Sequence, residues 1–438
     1  MKRNTFHTTI TMLVALPTLA SALVAQQAPI SPALTIQDAV QTALAHNTGI
    51  SALRSDTQAA RAGIDLSRAG YFPQLSLAAN YLHIDTLPTF VLPGAPAPLA
   101  LGVNDNIIAT VSARQALFTS GRVQALVSRS EALYDADIAR LASTEADVAR
   151  QTREAYYSVL LAGSLVTSSE KNLTAAQSQL NDAQARFSAG TAAKFDVLRA
   201  QTSVSQAQQN LTQSRNQVEL ARVQLDRVMG MPLDSVYTLT DPGLAPVPTD
   251  QLPTLIETAE KQRSEILAAR SQLAAYKAGI KVARSGYGPE VDLQAGYQYV
   301  ENQNPEAVST WTAGVGISWS IFDGGQTKAN VLQAKALTQE AQANLKDTTE
   351  SIEQDVRTQY LNLQTARQTI DTANTLLAQA TEAYDVAVVR YDSGVGTATE
   401  QADALAQLTS ARTSLDQARF NYNTAYARLQ RALGLVTY

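Results

Sequence analysis

At 438 residues the chain is long enough for two or three ordinary domains, yet it has no cysteine and only three histidines, His7, His46 and His83. That excludes disulfides, thiolate metal sites, a cysteine nucleophile and a lipid anchor on cysteine. A formal net charge of −5 gives no basic footprint, so nucleic acid is not an expected partner, and no cofactor is expected.

Residues 1–25 read as a secretory signal. Lys2 and Arg3 precede an apolar run from about Met12 to Val24, and small residues allow cleavage after Ala22 or Ala25. The run is too short for a membrane anchor and Pro17 interrupts it, so the sequence predicts export. No later stretch offers the ~20 consecutive apolar residues that a membrane helix needs.

The rest of the chain is written twice. From Leu117 onward, adding 204 to a residue number reaches its counterpart: Leu117-Phe118-Thr119-Ser120-Gly121 on Ile321-Phe322-Asp323-Gly324-Gly325, Arg186-Phe187-Ser188-Ala189-Gly190 on Arg390-Tyr391-Asp392-Ser393-Gly394, Gly230 on Gly434. Before Leu117 the offset is 216, with Gly70-Tyr71-Phe72-Pro73 on Gly286-Tyr287-Gly288-Pro289. The difference between 216 and 204 leaves 12 extra residues in the first copy, in the proline-rich loop from His83 to Asn106. A duplication without gaps over such a length points to long paired elements whose ends must meet. The copies span 26–230 and 253–438, joined by a linker over 231–252 that contains Pro232, Pro242, Pro246 and Pro248.

Each copy carries two alternating strands, expected at about 71–82 and 107–118, then 290–300 and 310–321. Trp311, Ala313, Val315, Ile317 and Trp319 alternate with Thr312, Gly314, Gly316 and Ser318, a period of two. A strand of a soluble sandwich alternates in the same way. Two features favour a membrane strand: lengths near ten residues, and Tyr81, Tyr297, Tyr299, Trp311 and Trp319 towards strand ends, where aromatic girdles form. Four strands cannot close a barrel, and an open edge in lipid leaves backbone groups unsatisfied. The chain must share its barrel with copies of itself: three give twelve strands, two give eight and a filled interior.

After each strand pair no proline interrupts a helical pattern over 122–188 or 326–392, each about 100 Å long at ~1.5 Å per residue. Partner helices are expected at 194–230 and 397–433. Leu363, Ala366, Ile370, Ala373, Leu377, Ala380, Tyr384, Ala387 and Tyr391 step by three and four, as do Leu408, Ala411, Leu415, Ala418, Tyr422, Ala425, Leu429 and Ala432. These are coiled-coil seams in which large residues alternate with alanine. Shorter helices are expected from about Ile36 to Ala69 and from Leu255 to Arg284. On length, the helix at 194–230 stacks end to end with the one at 255–284, and the helix at 397–433 with the one at 36–69.

The order and doubling of these motifs, from Gly70-Tyr71-Phe72-Pro73 to Arg390-Tyr391-Asp392-Ser393-Gly394, resembles the TolC-type outer-membrane efflux proteins over essentially the whole mature chain. The resemblance implies a mainly α fold with a membrane β-barrel: a homotrimer whose twelve-stranded barrel lies in outer-membrane lipid on top of an α-helical barrel that crosses the periplasm. It also implies partners, a periplasmic adaptor protein and an inner-membrane pump, and no catalytic residues. By resemblance, Tyr391 and Asp196 match a hydrogen-bonded pair of the periplasmic gate, and Glu400 and Asp403 match acidic residues that ring its entrance. Gly190 and Gly394, at the two turns, match adaptor-facing tips. The sequence departs from the family at Gly396, where an arginine clamp is found, and at Phe195, where its threonine partner is. Simpler readings stand beside these: Tyr391 is also a seam residue, Glu400 and Asp403 also form a solvated pair in a helix's first turn, and Gly190 and Gly394 are also turn glycines.

An enzyme is not expected, since no histidine sits near a nucleophile or base and no phosphate-binding glycine motif precedes a helix. The expected function is passive export of small molecules or drugs. Type I protein secretion, metal-ion export and a non-conducting coiled-coil rod are the alternatives.

Overall fold

The computed structural model describes residues 33–91, 93–94, 96, 99–100, 102–302 and 308–435. The signal expected at 1–25 lies outside the described residues. The first repeat runs β1 (Ala33–Leu34), α1 (Ile36–His46), α2 (Thr48–Arg68), β2 (Gln74–His83), β3 (Thr89–Phe90), β4 (Leu99–Ala100), β5 (Asp105–Phe118), α3 (Arg122–Ser188) and α4 (Lys194–Met229). After β6 (Thr238–Leu239) in the linker, the second runs α5 (Leu252–Gln262), α6 (Ser264–Ser285), β7 (Glu290–Asn302), β8 (Val308–Ser318), α7 (Gln326–Asp392) and α8 (Ala398–Ala432). The strand expected to reach 321 ends at Ser318, and the one expected from 71 begins at Gln74, after a short 3-10 turn.

β2, β5, β7 and β8 form one antiparallel sheet in that order. The register lines up Leu77, Val111, Tyr297 and Trp311 across all four strands, and next to them Ser76, Ser112, Gly296 and Thr312. Alternation therefore gives the sheet one apolar and one polar face. On the polar face Ser76 and Ser112 hydroxyls meet at 2.7 Å and Arg114 pairs with Asp292 at 2.7 Å. Among the described residues the apolar face covers nothing: Leu75 is 75% exposed and Trp311 76%. β2 and β8 each keep one edge unpaired among the described residues.

Below the sheet, the two long helices are 67 residues each, and both begin after glycines at the offset of 204, Gly121 and Gly325. α3 packs against α2 and α4 on one flank and against α6 and α8 on the other, and α7 packs against α6 and α8. The helix columns thus follow the order of the strands above them. Among the described residues no helix is long and apolar enough to cross a membrane.

The end-to-end stacking differs from the sequence expectation. α4 ends on the α1–α2 junction, where the Asn47 side-chain amide donates to the Val228 carbonyl at 2.9 Å. α8 ends on the α5–α6 junction, where Arg263 Nη1 donates to the Arg431 carbonyl at 3.0 Å. Stacking is therefore within each repeat, because the helix that feeds a hairpin and the helix that returns from the tip lie on the same flank of that repeat's long helix. The expected single helices from Ile36 and Leu255 are each broken, at Asn47 and Arg263, residues 216 apart in the sequence.

Two apolar clusters fill the equator, one in each repeat. In the first, Tyr156 is fully buried and its hydroxyl lies 2.8 Å from the Leu34 carbonyl and 2.6 Å from the Thr240 carbonyl. The linker then straps onto α8: Asn423 receives the Ala245 N–H at 2.9 Å and donates to the Gly243 carbonyl at 3.0 Å. A buried polar side chain with both partners satisfied fixes a path that apolar contact alone would leave loose.

Candidate functional site

The end of the helices far from the sheet holds every candidate gate and tip residue, at the α3–α4 and α7–α8 turns. Both turns close in the same way: Thr191 N–H donates to the Arg186 carbonyl at 2.9 Å, and Val395 N–H to the Arg390 carbonyl at 3.0 Å. Gly190 and Gly394 take φ of 76° and 77°, and neither has an atom within 4 Å of where a Cβ would stand. They face open space at the tips. Around them Phe195 and Val395 are each 69% exposed.

Tyr391 is buried, and its ring carries the Arg186 guanidinium 4.2 Å from the centroid. The same guanidinium reaches the Asp392 carboxylate at 3.5 Å. Asp196 points elsewhere: its carboxylate accepts the Ala193 N–H at 3.3 Å, capping the start of α4, where a negative charge is favoured. The structure does not join Tyr391 to Asp196 by a hydrogen bond.

Glu400 lies in the first turn of α8, capped by Thr397, whose hydroxyl accepts the Glu400 N–H at 3.2 Å. Its carboxylate is 3.6 Å from Arg390. Asp403, one turn on, is exposed and has no ion pair within the chain among the described residues. Arg199 of α4 donates to the Thr399 hydroxyl.

Sequence reasoning missed Arg186, Arg199, Arg390 and Thr399 as contact residues. The offset alone marks the second turn as the more acidic, with Asp196 against Glu400 and Arg199 against Asp403, and Ser188 against Asp392 adds to that asymmetry; it does not name the contacts.

The outer membrane efflux protein family matches residues 39–231 and 255–435, both repeats. The chain belongs to that family. It is 24% identical to the outer membrane protein TolC of Escherichia coli (strain K12) over 420 residues, 92% of this chain and 83% of that one. It is 25% identical to the alkaline protease secretion protein AprF of Pseudomonas aeruginosa over 357 residues, 76% of this chain and 70% of that one. A membrane protein of Pseudomonas aeruginosa, solved by crystallography, has the same fold: TM-score 0.79, 22% identity, 91% of this chain and 93% of that one. In this efflux family the match stops at Met231 and resumes at Leu255, so it leaves out the linker that straps the repeats together.

Proposed function

We propose that three copies of the chain close a twelve-stranded barrel in the outer membrane above a tube of helices, and that this channel passively carries small molecules outward. An inner-membrane pump would supply the cargo and the energy, and a periplasmic adaptor would dock at the tips around Gly190 and Gly394. One observation carries the reading: among the described residues the sheet is exposed on both faces and open at both edges, and helix columns repeat its order. Lipid suits the apolar face, an aqueous lumen suits the polar face, and pairing β8 of one copy with β2 of the next leaves no open edge. Eight strands from two copies would leave a barrel filled by side chains, so three copies serve conduction.

In this reading Asp196, Tyr391, Glu400 and Asp403 line the periplasmic gate. Protein secretion is the second reading, favoured by the similarity to a protease secretion protein. The test is single-channel recording of the purified protein in a planar bilayer, with its mass in detergent. Stepwise conductance from a trimer supports the channel; a trimer without conductance is a structural rod and overturns it.

A further inference from the structure

Position 396 has no room for a side chain. A Cβ on Gly396 would stand 2.9 Å from the Arg390 Cβ and 3.0 Å from both the Arg390 carbonyl carbon and the Tyr391 nitrogen. The cause is the turn itself, because the Gly396 N–H donates to the Arg390 carbonyl at 2.8 Å and folds the chain back on the end of α7. A cationic side chain there would have to open its own turn. Any cation that clasps the two hairpins must therefore come from another place.

Two do, and both belong to the first hairpin. Arg186, in the last turn of α3, lies over the Tyr391 ring and beside Asp392 of α7. Arg199, in the second turn of α4, donates to Thr399 of α8. Every acceptor is on the second hairpin. Asp196, the acidic residue at the start of α4, is occupied with its own helix start. The planar guanidinium suits both tasks, stacking on a ring while its edge meets a carboxylate. Each contact is solvent-accessible and weak alone, which fits a clasp that must open and reclose.

We propose that Arg186 and Arg199 are the latch residues that hold the two hairpins of each copy together at the entrance, in place of a cation at position 396. This rests on the channel reading above. Opening then separates the α3–α4 tip from the α7–α8 tip within one copy, breaking the Arg186 stack and the Arg199 hydrogen bond together.

The experiment records resting conductance of the trimer in planar bilayers for the unaltered protein, for Arg186→Gln with Arg199→Gln, for Arg186→Asp alone, and for Arg186→Asp with Asp392→Arg. Thermal unfolding in detergent checks that each variant is folded. The latch predicts a several-fold rise in resting conductance for the first two variants and a return towards the unaltered value for the charge exchange. Unchanged conductance in the double glutamine variant would overturn the latch and leave the channel standing, as would equal opening in Arg186→Asp with and without the exchange. A folded, unaltered trimer that conducts nothing would overturn the channel reading and the latch with it.

Discussion

Arg431 of α8 grips Asp147 of α3 with two parallel hydrogen bonds, Nε to Oδ1 at 2.8 Å and Nη2 to Oδ2 at 3.0 Å. The same guanidinium reaches Glu265 of α6 at 2.5 Å, and Glu265 also receives Arg263, which in turn meets Asp355 of α7. Four helices and both repeats are thereby tied at the equator. Arg431 and Arg263 are about nine-tenths buried, whereas Asp147 is 42% exposed.

Replacing Arg431 with methionine would take the paired guanidinium from Asp147 and leave Glu265 with Arg263 alone, at a cost of about 3 kcal/mol, the low end for breaking a buried pair because Asp147 is solvated and Glu265 keeps one partner. The midpoint of unfolding in denaturant should fall accordingly, and an unchanged midpoint would show the cluster to be decorative.

The cluster also sets a pH dependence. Burial alone would raise the Glu265 carboxyl, but the hydrogen bond and charge of Arg431, with the charge of Arg263, outweigh it and hold Glu265 below the usual carboxylate range. A carboxyl depressed in the folded chain stabilises above its unfolded pKa of about 4.3, and that stabilisation is lost as pH falls through the folded value. The unfolding midpoint should therefore drop below about pH 4 in the unaltered protein. Glu265→Gln should flatten that part of the profile.

Two glycines of like conformation should respond differently to alanine. Gly190 and Gly230 have φ of 76° and 70°, so each substitution costs the left-handed strain of about 1–2 kcal/mol. At Gly190 a Cβ meets open space, but at Gly230 it would stand 2.4 Å from the His46 carbonyl oxygen. Gly230→Ala must therefore also push apart the α4 end and the α1–α2 junction, and should cost more than about 3 kcal/mol in total. Comparable melting temperatures for the two variants would contradict the stacking contact.

The long helices and the sheet were legible because they obey periods: 204 for the copies, two for the strands, three and four for the seams. All eight residues from Leu408 to Ala432 in the α8 seam are buried. Stacking was not legible, because length does not discriminate; α2 has 21 residues and α6 has 22, so either fits above α4. The breaks at Asn47 and Arg263 were hidden for a related reason. Neither is a proline or glycine, and each break is set by a helix end that arrives from more than 160 residues away. The tip contacts escaped because a flexible arginine declares its sign in the sequence, while its partner depends on how the hairpins meet.

At the tip, the ring of Tyr391 holds Arg186 and its hydroxyl makes no hydrogen bond to Asp196. Tyr391→Phe keeps a ring that a cation can stack on, whereas Tyr391→Ala removes it along with a buried seam contact. The phenylalanine variant should keep the resting conductance of the unaltered protein and the alanine variant should exceed it. Opening by phenylalanine would instead assign the closure to the hydroxyl, and so to a Tyr391–Asp196 bond formed in the assembled channel.

Charge selectivity separates the two acidic residues of α8. Glu400 lies 3.6 Å from Arg390, which offsets part of its charge, while Asp403 is exposed with no pairing cation in the chain among the described residues. A ring of carboxylates attracts cations in proportion to the charge left uncompensated and loses effect beyond a Debye length of about 8–10 Å. The open channel should therefore prefer cations, and Asp403→Asn should move the reversal potential under a salt gradient further towards zero than Glu400→Gln. If Glu400→Gln has the larger effect, the pair to Arg390 breaks on opening; if neither variant moves the potential, the selectivity resides outside the tip.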